Sequence, residues 1–415
     1  MIDSQTPDRR SNVPRPSLTS STRRSFRSPC DTCELALGPR AQEPVSPSAV
    51  PNMAGKIMTV TGPIDPDELG QTTMHEHIFI DFTVMDDTPE RWSAAGRVEP
   101  VGATAVGLYH APLTMDILGA VARGAANRDN RLLTDERMAI DEVLEFRRRG
   151  GSAIVDTTSI GLKRDPLALS RVSEATGLHI VMGASWYRKG WHPKDLDDRS
   201  IESLTQEIVG DITVGVGDTG IRSGIIGEVG TEGDPLVPNE LKVIQASARA
   251  SRITGAAVTL HTSAVLHEQP GILDMLEAEG ADLSRVVVGH SNPLASDLAF
   301  MEQLLARGVY IQFDTLGRQP TLSYPVVTDT DVGHGIVSLI EAGHVDRILL
   351  AQDVCTKLQL KAYGGTGFSF IQEQFIPYLK QLGVTDAQLH TIMVDNPRRV
   401  LTFAEPGSAE VDSRD

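Results

Sequence analysis

Six residues of this sequence have the types and placement to do chemistry together: His75, His77, Glu228, His261, His290 and Asp353. Imidazole and carboxylate groups hold divalent cations, and a site built from them can keep a position open for water or substrate. Each of the six closes or follows an apolar or β-branched run. Residues i and i+2 of a strand share a face, so His75 and His77 point together while Glu76 points the other way. An HxH pair among 11 histidines is weak by itself. A carboxylate inside the apolar run IIGEVG is costly to bury without a cation, and the plain alternative for Glu228 is an ion pair with a buried Arg or Lys. The plain alternative for any single histidine is a hydrogen-bonded core or loop residue. As a set in the same relation to successive strands, the six predict a metal site able to activate water.

The elements that must position them are legible as alternation. Eight apolar or β-branched runs occur from residue 72 onward: TTMHEHIFI, AIVDTT (153–158), HIVMGAS (179–185), GIIGEV (224–229), AVTLHT (257–262), RVVVGHS (285–291), YIQFDT (310–315) and RILLAQD (347–353). Amphipathic stretches lie between them, the pattern of a parallel sheet with crossover helices. The best signalled is 134–149, TDERMAIDEVLEFRRR, with Thr134 as N-cap, acids in the first turn, arginines in the last and a stop at Gly150 and Gly151. Eight such units predict an α/β fold, a (β/α)8 TIM barrel, whose C-terminal strand ends carry the chemistry. Residues 83–130 form an insertion expected to cover the barrel mouth, and 354–370, rich in glycine, is expected to be a mobile substrate loop. Trp186, Tyr187 and His192, after the third strand, are candidates to line the substrate pocket, against ordinary loop packing. Arg318, after the seventh strand, is a candidate contact for an anionic substrate group.

A chain of 415 residues, 40% hydrophobic, accommodates one barrel of roughly 250 residues or more. The expected organisation is a disordered N-terminal extension over 1–52, rich in Ser, Pro and Arg, a barrel over 53–407 and a disordered tail over 408–415. A net charge of −17 repels phosphate backbones and anionic lipid, so a small-molecule substrate is expected, with no nucleic acid and no membrane partner. No apolar run reaches the roughly 18 residues of a membrane span. Only Cys30, Cys33 and Cys355 are present, which suits a reducing compartment and a cytoplasmic location. Cys30 and Cys33 form a CxxC with neither a second pair nor a βαβ context. TRRSF at 22–26 lacks the apolar stretch of a signal peptide, and acidic residues in the segment disfavour mitochondrial targeting. GVGDTG (215–220) matches GxGxxG but leads into a strand instead of following one, so it reads as a turn. GHSNP lacks the GxSxG spacing of a serine nucleophile.

The combination TVTGPID, MHEHIFIDF, GIIGEVG, VTLHT, VVVGHS, LLAQD, YGGTGFSFI and DNPRRVLTF, over about residues 57–404, resembles the phosphotriesterase-related branch of the amidohydrolase superfamily. The resemblance implies a metal-dependent hydrolase with two divalent ions, Zn2+ being the expected metal. His75, His77 and Asp353 would bind one, His261 and His290 the other, with a carboxylate and a hydroxide bridging both. Asp353 would also be the catalytic acid and base, and the assembly would be a homodimer. Phosphotriesterases proper bridge their metals with a carboxylated lysine, whereas Glu228 stands here, so fast organophosphate hydrolysis is not expected. The favoured substrate is a small amide, ester or lactone. A phosphoester or phosphotriester on the same site is the alternative, and a non-catalytic small-ligand-binding barrel a more distant one.

Overall fold

The eight apolar runs become eight parallel strands paired in sequence order: β1 (Thr72–Glu76), β2 (Ala153–Asp156), β3 (His179–Ala184), β4 (Ile225–Gly230), β5 (Val258–His261), β6 (Val286–Val288), β7 (Tyr310–Phe313) and β8 (Ile348–Leu350). The structure, a computed structural model, describes residues 52–232, 235–263, 267–318 and 327–407. Except for Asn52, the expectations for 1–52, including the CxxC and TRRSF, and those for the 408–415 tail lie outside these residues.

Helices follow the strands in turn: α1 (Glu136–Arg148), α2 (Pro166–Thr176), α3 (Ile201–Thr213), α4 (Pro238–Thr254), α5 (Gln269–Ala278), α6 (Leu298–Leu305), α7 (Asp329–Glu341) and α8 (Ile376–Gln381). α1 starts one residue later than its predicted cap: Asp135, not Thr134, accepts the Met138 N–H at 2.9 Å. The GVGDTG segment is a turn between α3 and β4, closed by Val216 N–H to Ile221 O. Among the described residues no single helix is long and apolar enough to cross a membrane.

The barrel closes between β8 and β1 by a mixed seam. Asp353 N–H donates to His75 O (3.1 Å) and His77 N–H to Val354 O (3.2 Å). Glu76, facing away from the two histidines as the alternation predicts, accepts from Gln352 N–H and Val354 N–H, both at 2.9 Å, and from Thr73 Oγ1 at 2.5 Å. Burial pushes this carboxyl up to about 7 even against those donors. The seam therefore fixes the backbone of three candidate ligands, His75, His77 and Asp353, with one side chain.

One apolar cluster takes a residue from seven of the strands, Met74, Val155, Val181, Ile225, Val287, Tyr310 and Leu349, and Ala257 from just before β5. Ile57, Leu69, Val400 and Leu401 join it. Ile57 belongs to a short hairpin, Ile57–Thr59 with Gly62–Ile64, which Gly55 N–H and Lys56 O tie to Phe403. The interior is thus a packed core, a rigid base for whatever stands at the strand ends.

Residues 83–130 hold three short helices and lean on the loop after β3: Trp191 Nε1 donates to Thr83 O and Arg91 Nη1 to His192 O. The segment 354–370, expected to be mobile, is pinned along its length. Gln359 Oε1 accepts from the backbone of Cys355 and Thr356, Glu142 from Lys361 and Ala362, and Asn130 from Leu358. Its polar side chains and their partners, spread over distant segments, outweigh what the glycines alone suggest.

Candidate metal centre

All six predicted residues lie at strand ends and five of them gather into two overlapping triplets. His75, His77 and Asp353 form one, and His75, Glu228 and His290 the other, with ligand atoms within 4.8 Å of one another in each. His77 Nε2 lies 3.4 Å from Glu228 Oε1 and 3.3 Å from Asp353 Oδ1, and His75 Nε2 lies 3.4 Å from Glu228 Oε2. His261 stands outside both triplets, but its ring sits edge-on to His290 with centroids 4.3 Å apart. The first triplet is the set implied for one metal; the second contains His75 where His261 was expected.

Each imidazole is oriented from behind, which fixes which nitrogen faces the cluster. His77 Nδ1 is 2.9 Å from Thr158 Oγ1, whose own proton goes to Phe79 O. His290 Nδ1 is 2.8 Å from Asp314 Oδ1, and His75 Nδ1 faces the other oxygen of Asp314 at 3.5 Å. His261 Nε2 is 3.0 Å from the Tyr187 hydroxyl. A lone pair on His261 Nδ1 requires the ring proton on Nε2, where it donates to Tyr187.

The backbone makes its own contribution. His290 and Asp353 follow their strands with φ of 55° and 50°, a left-handed conformation that non-glycine residues adopt at a cost on the order of 1 kcal/mol or more. Each is held there: His290 N–H donates to both Asp314 oxygens (2.9 and 3.1 Å), and Asp353 N–H to His75 O.

The charges are unusual for a buried site. Burial opposes protonation of His75, yet Glu228 and then Asp314 and Asp353 outweigh it and lift the imidazole to about 9. At His290 burial is likewise overcome, foremost by Asp314, and its value also rises to about 9. Burial and the neighbouring His290 instead hold His261 well below the ordinary histidine value. Burial would raise Asp353, but Arg318, His77, His75 and His290 take it well below the carboxylate range. Three carboxylates in one buried cluster attract positive charge, and protons answer that demand where a metal ion would.

A cation fits this donor set. His75 Nε2, Glu228 Oε2 and His261 Nδ1 are buried without a hydrogen-bond partner, a state that costs roughly 1–3 kcal/mol per group when nothing binds there. All three belong to residues expected as ligands, and the nitrogen and carboxylate donors suit zinc-like ions.

The predicted substrate contacts divide. Tyr187 reaches His261, and Arg318 donates to Asp353 O (2.8 Å) and Oδ2 (2.5 Å). Trp186 is instead buried in the apolar cluster that also holds Leu196 and Leu204, with Arg199 over its ring. His192 is buried and sets its Nε2 2.6 Å from Tyr187 O, so it touches the backbone of a site residue and none of the six. Arg318 is thus paired with the carboxylate of Asp353. Asp314, fully buried between His75 and His290, was missed, although it ends the run YIQFDT just as the predicted ligands end theirs. Gln312, whose Nε2 donates to Asp314 Oδ2 at 2.8 Å, was missed too.

Comparison with known proteins gives the family and the fold. The Phosphotriesterase family matches residues 55–401. N-acetyltaurine hydrolase of Tetraodon nigroviridis is 32% identical over 360 residues, covering 85% of this chain and 99% of that one. A resiniferatoxin-binding protein from Rhodobacter sphaeroides superposes with a TM-score of 0.77 at 36% identity, over 84% of this chain and 95% of that one. The phosphotriesterase homology protein from Escherichia coli, complexed with phosphate in its active site, gives 0.66 at 27% identity, over 81% and 99%.

Proposed function

The chain belongs to the phosphotriesterase family, and from that premise we propose that it is a binuclear metal-dependent hydrolase of a small carboxylic acid derivative, an amide in preference to an ester or lactone. The observation that carries this reading is the convergence of His75, His77, Glu228, His290 and Asp353 with unpartnered buried donor atoms in their midst. His75, His77 and Asp353 would hold one ion and His261 and His290 the other, with Glu228 between them and Zn2+ the expected metal. When bound, the metals supply Lewis acidity toward the scissile carbonyl and bring the pKa of water from about 16 to about 7.

The chain's own residues do the rest. Asp353 takes the proton of the attacking water and delivers it to the departing nitrogen as the C–O bond forms and the C–N bond breaks. Arg318 holds the Asp353 carboxylate in place through its donation to both the side chain and the backbone oxygen. Asp314 and Thr158 keep the imidazoles in the tautomers that face the cluster. Preference for an amide is supported by the name of the Tetraodon relative. The phosphate in the Escherichia coli relative supports the second reading, phosphoester hydrolysis at the same residues. The remaining expectations, a homodimer in the cytoplasm, are tested by light scattering and by imaging the tagged full chain.

The test is elemental analysis followed by a panel of N-acyl amides, lactones and phosphate esters at fixed metal loading. Amides turned over fastest support the reading. Phosphate esters turned over fastest replace it with the second, and no turnover with any class removes both.

A further inference from the structure

Next to the histidine–carboxylate cluster stands a group of the opposite charge. Arg97 and Arg131 come from the β1–α1 connection, and Arg188 from the loop after β3. Arg97 Cζ lies 4.3 Å from the Phe82 ring centre and 4.8 Å from that of Trp191. Arg131 Cζ lies 5.7 Å from Phe82, and Arg188 Cζ 5.3 Å from Tyr187 and 5.1 Å from Trp191. The rings pack on one another, Phe82 on Trp191 at 4.9 Å and Tyr187 on Trp191 at 5.3 Å. Tyr187 is also the residue whose hydroxyl meets His261. Arg188 thus stands one aromatic side chain, Tyr187, from the candidate metal ligand His261, and Arg97 and Arg131 stand two away, through Phe82 or Trp191 and then Tyr187.

Their charge is not balanced locally. Arg188 pairs with Glu232 at 2.9 Å. Arg97 donates to the Phe82 carbonyl at 2.7 Å, and among the described residues no carboxylate lies within ion-pair distance of Arg97 or Arg131. Burial, then the neighbouring Arg131 and Arg188, push Arg97 well below the ordinary guanidinium value; burial does the same, less strongly, to Arg131. Stacking on aromatic faces offsets part of this repulsion but supplies no negative charge. Arg97, Arg131 and Arg188 are each partly exposed. Guanidinium forks match planar and tetrahedral oxyanions, and the adjoining rings offer an apolar wall for a short methylene chain.

We propose that Arg97 and Arg131 form a subsite for an anionic group, a carboxylate or a sulfonate, carried by the substrate a few atoms from its scissile carbonyl. Resting on the hydrolase reading above, this narrows the substrate class to anionic N-acyl amides. Arg188, already paired, adds field without taking the role of principal contact.

The test uses the full, metal-loaded chain and two probes without an amide, propane-1-sulfonate and butyrate, titrated by calorimetry beside neutral propan-1-ol. At unchanged metal content, Arg97→Gln and Arg131→Gln are each expected to weaken binding of one or both anions by roughly tenfold or more. Propanol binding should stay as it was. The anion bound more tightly by the unaltered protein identifies the head group. Arg97→Lys and Arg131→Lys, which keep the charge and lose the fork, should fall between, and they carry the test if a Gln variant does not fold. Absence of anion binding, or binding that survives in all of these variants because the anion sits on the metals, overturns the subsite. In a parallel assay, N-acetyl-β-alanine and N-acetyl-2-aminoethanesulfonate should exceed N-acetylpropylamine in kcat/KM, with the excess lost through KM in the Gln variants. Arginine-dependent anion binding without hydrolysis of any amide would sink the amide-hydrolase reading while leaving the subsite standing.

Discussion

On either side of Tyr187, two regions bury charge in opposite ways. The histidine–carboxylate cluster leaves His75 Nε2, Glu228 Oε2 and His261 Nδ1 buried without a hydrogen bond. In the arginine–aromatic cluster the excess is of donors, with Arg97 and Arg131 facing rings and a carbonyl where carboxylates would be expected. A buried polar group without a counterpart is destabilising, so each imbalance points to something that binds: cations in the first region, an anion in the second. In the proposed reading the contrast also separates roles, with the group that moves protons in one region and the groups that recognise charge in the other.

The largest break in that contrast comes from Asp353. Asp353→Asn removes the proton carrier but keeps an oxygen donor, so kcat should fall by about 10³-fold while most of the metal stays bound. Near-normal kcat with normal metal content would defeat the assigned role. Next in size is Asp314→Ala, which releases His290 and His75 from behind. Metal affinity, read by competition with a chelator, should drop about 10- to 100-fold, and an unchanged affinity would show that the orientation of the two rings does not matter.

A smaller effect sharpens the other region, because His192 holds the backbone of Tyr187. Burial takes this imidazole from 6.5 down to about 4 in the folded chain. Between those two values the unfolded chain binds the proton and the folded chain does not, so the stability is complete above about pH 6.5 and is lost as the pH falls toward 4. The loss should be on the order of 3 kcal/mol. Urea denaturation at pH 7.5 and pH 4.5 checks it: the fall in stability should be smaller in His192→Gln by that order, and an equal fall in both proteins would contradict the assignment.

What was legible from sequence follows from periodicity. Strands buried on both faces are continuous apolar runs, and a histidine or acid breaking such a run at its end is conspicuous, as at Glu228 and His261. Asp314 obeyed the same rule and was still overlooked, because it touches imidazoles instead of completing the expected ligand set. The seam role of Glu76 was half visible: alternation turned it away from His75 and His77, but only the fold shows Gln352 and Val354 meeting it. Arg97, Arg131 and Arg188 were invisible as a group, since they come from irregular connections where no period links residue to residue. Trp186 misled for a related reason: a large aromatic in a loop after a strand suits either pocket or core, and here the side chain is buried in the apolar cluster that also holds residues of α3 and α4.

Metal content of the purified full chain tests the central claim most directly. Two divalent ions per chain, falling to one or fewer in Glu228→Ala together with activity, is the predicted result. A chain that holds no tightly bound metal after loading, or keeps both ions in Glu228→Ala, would contradict it.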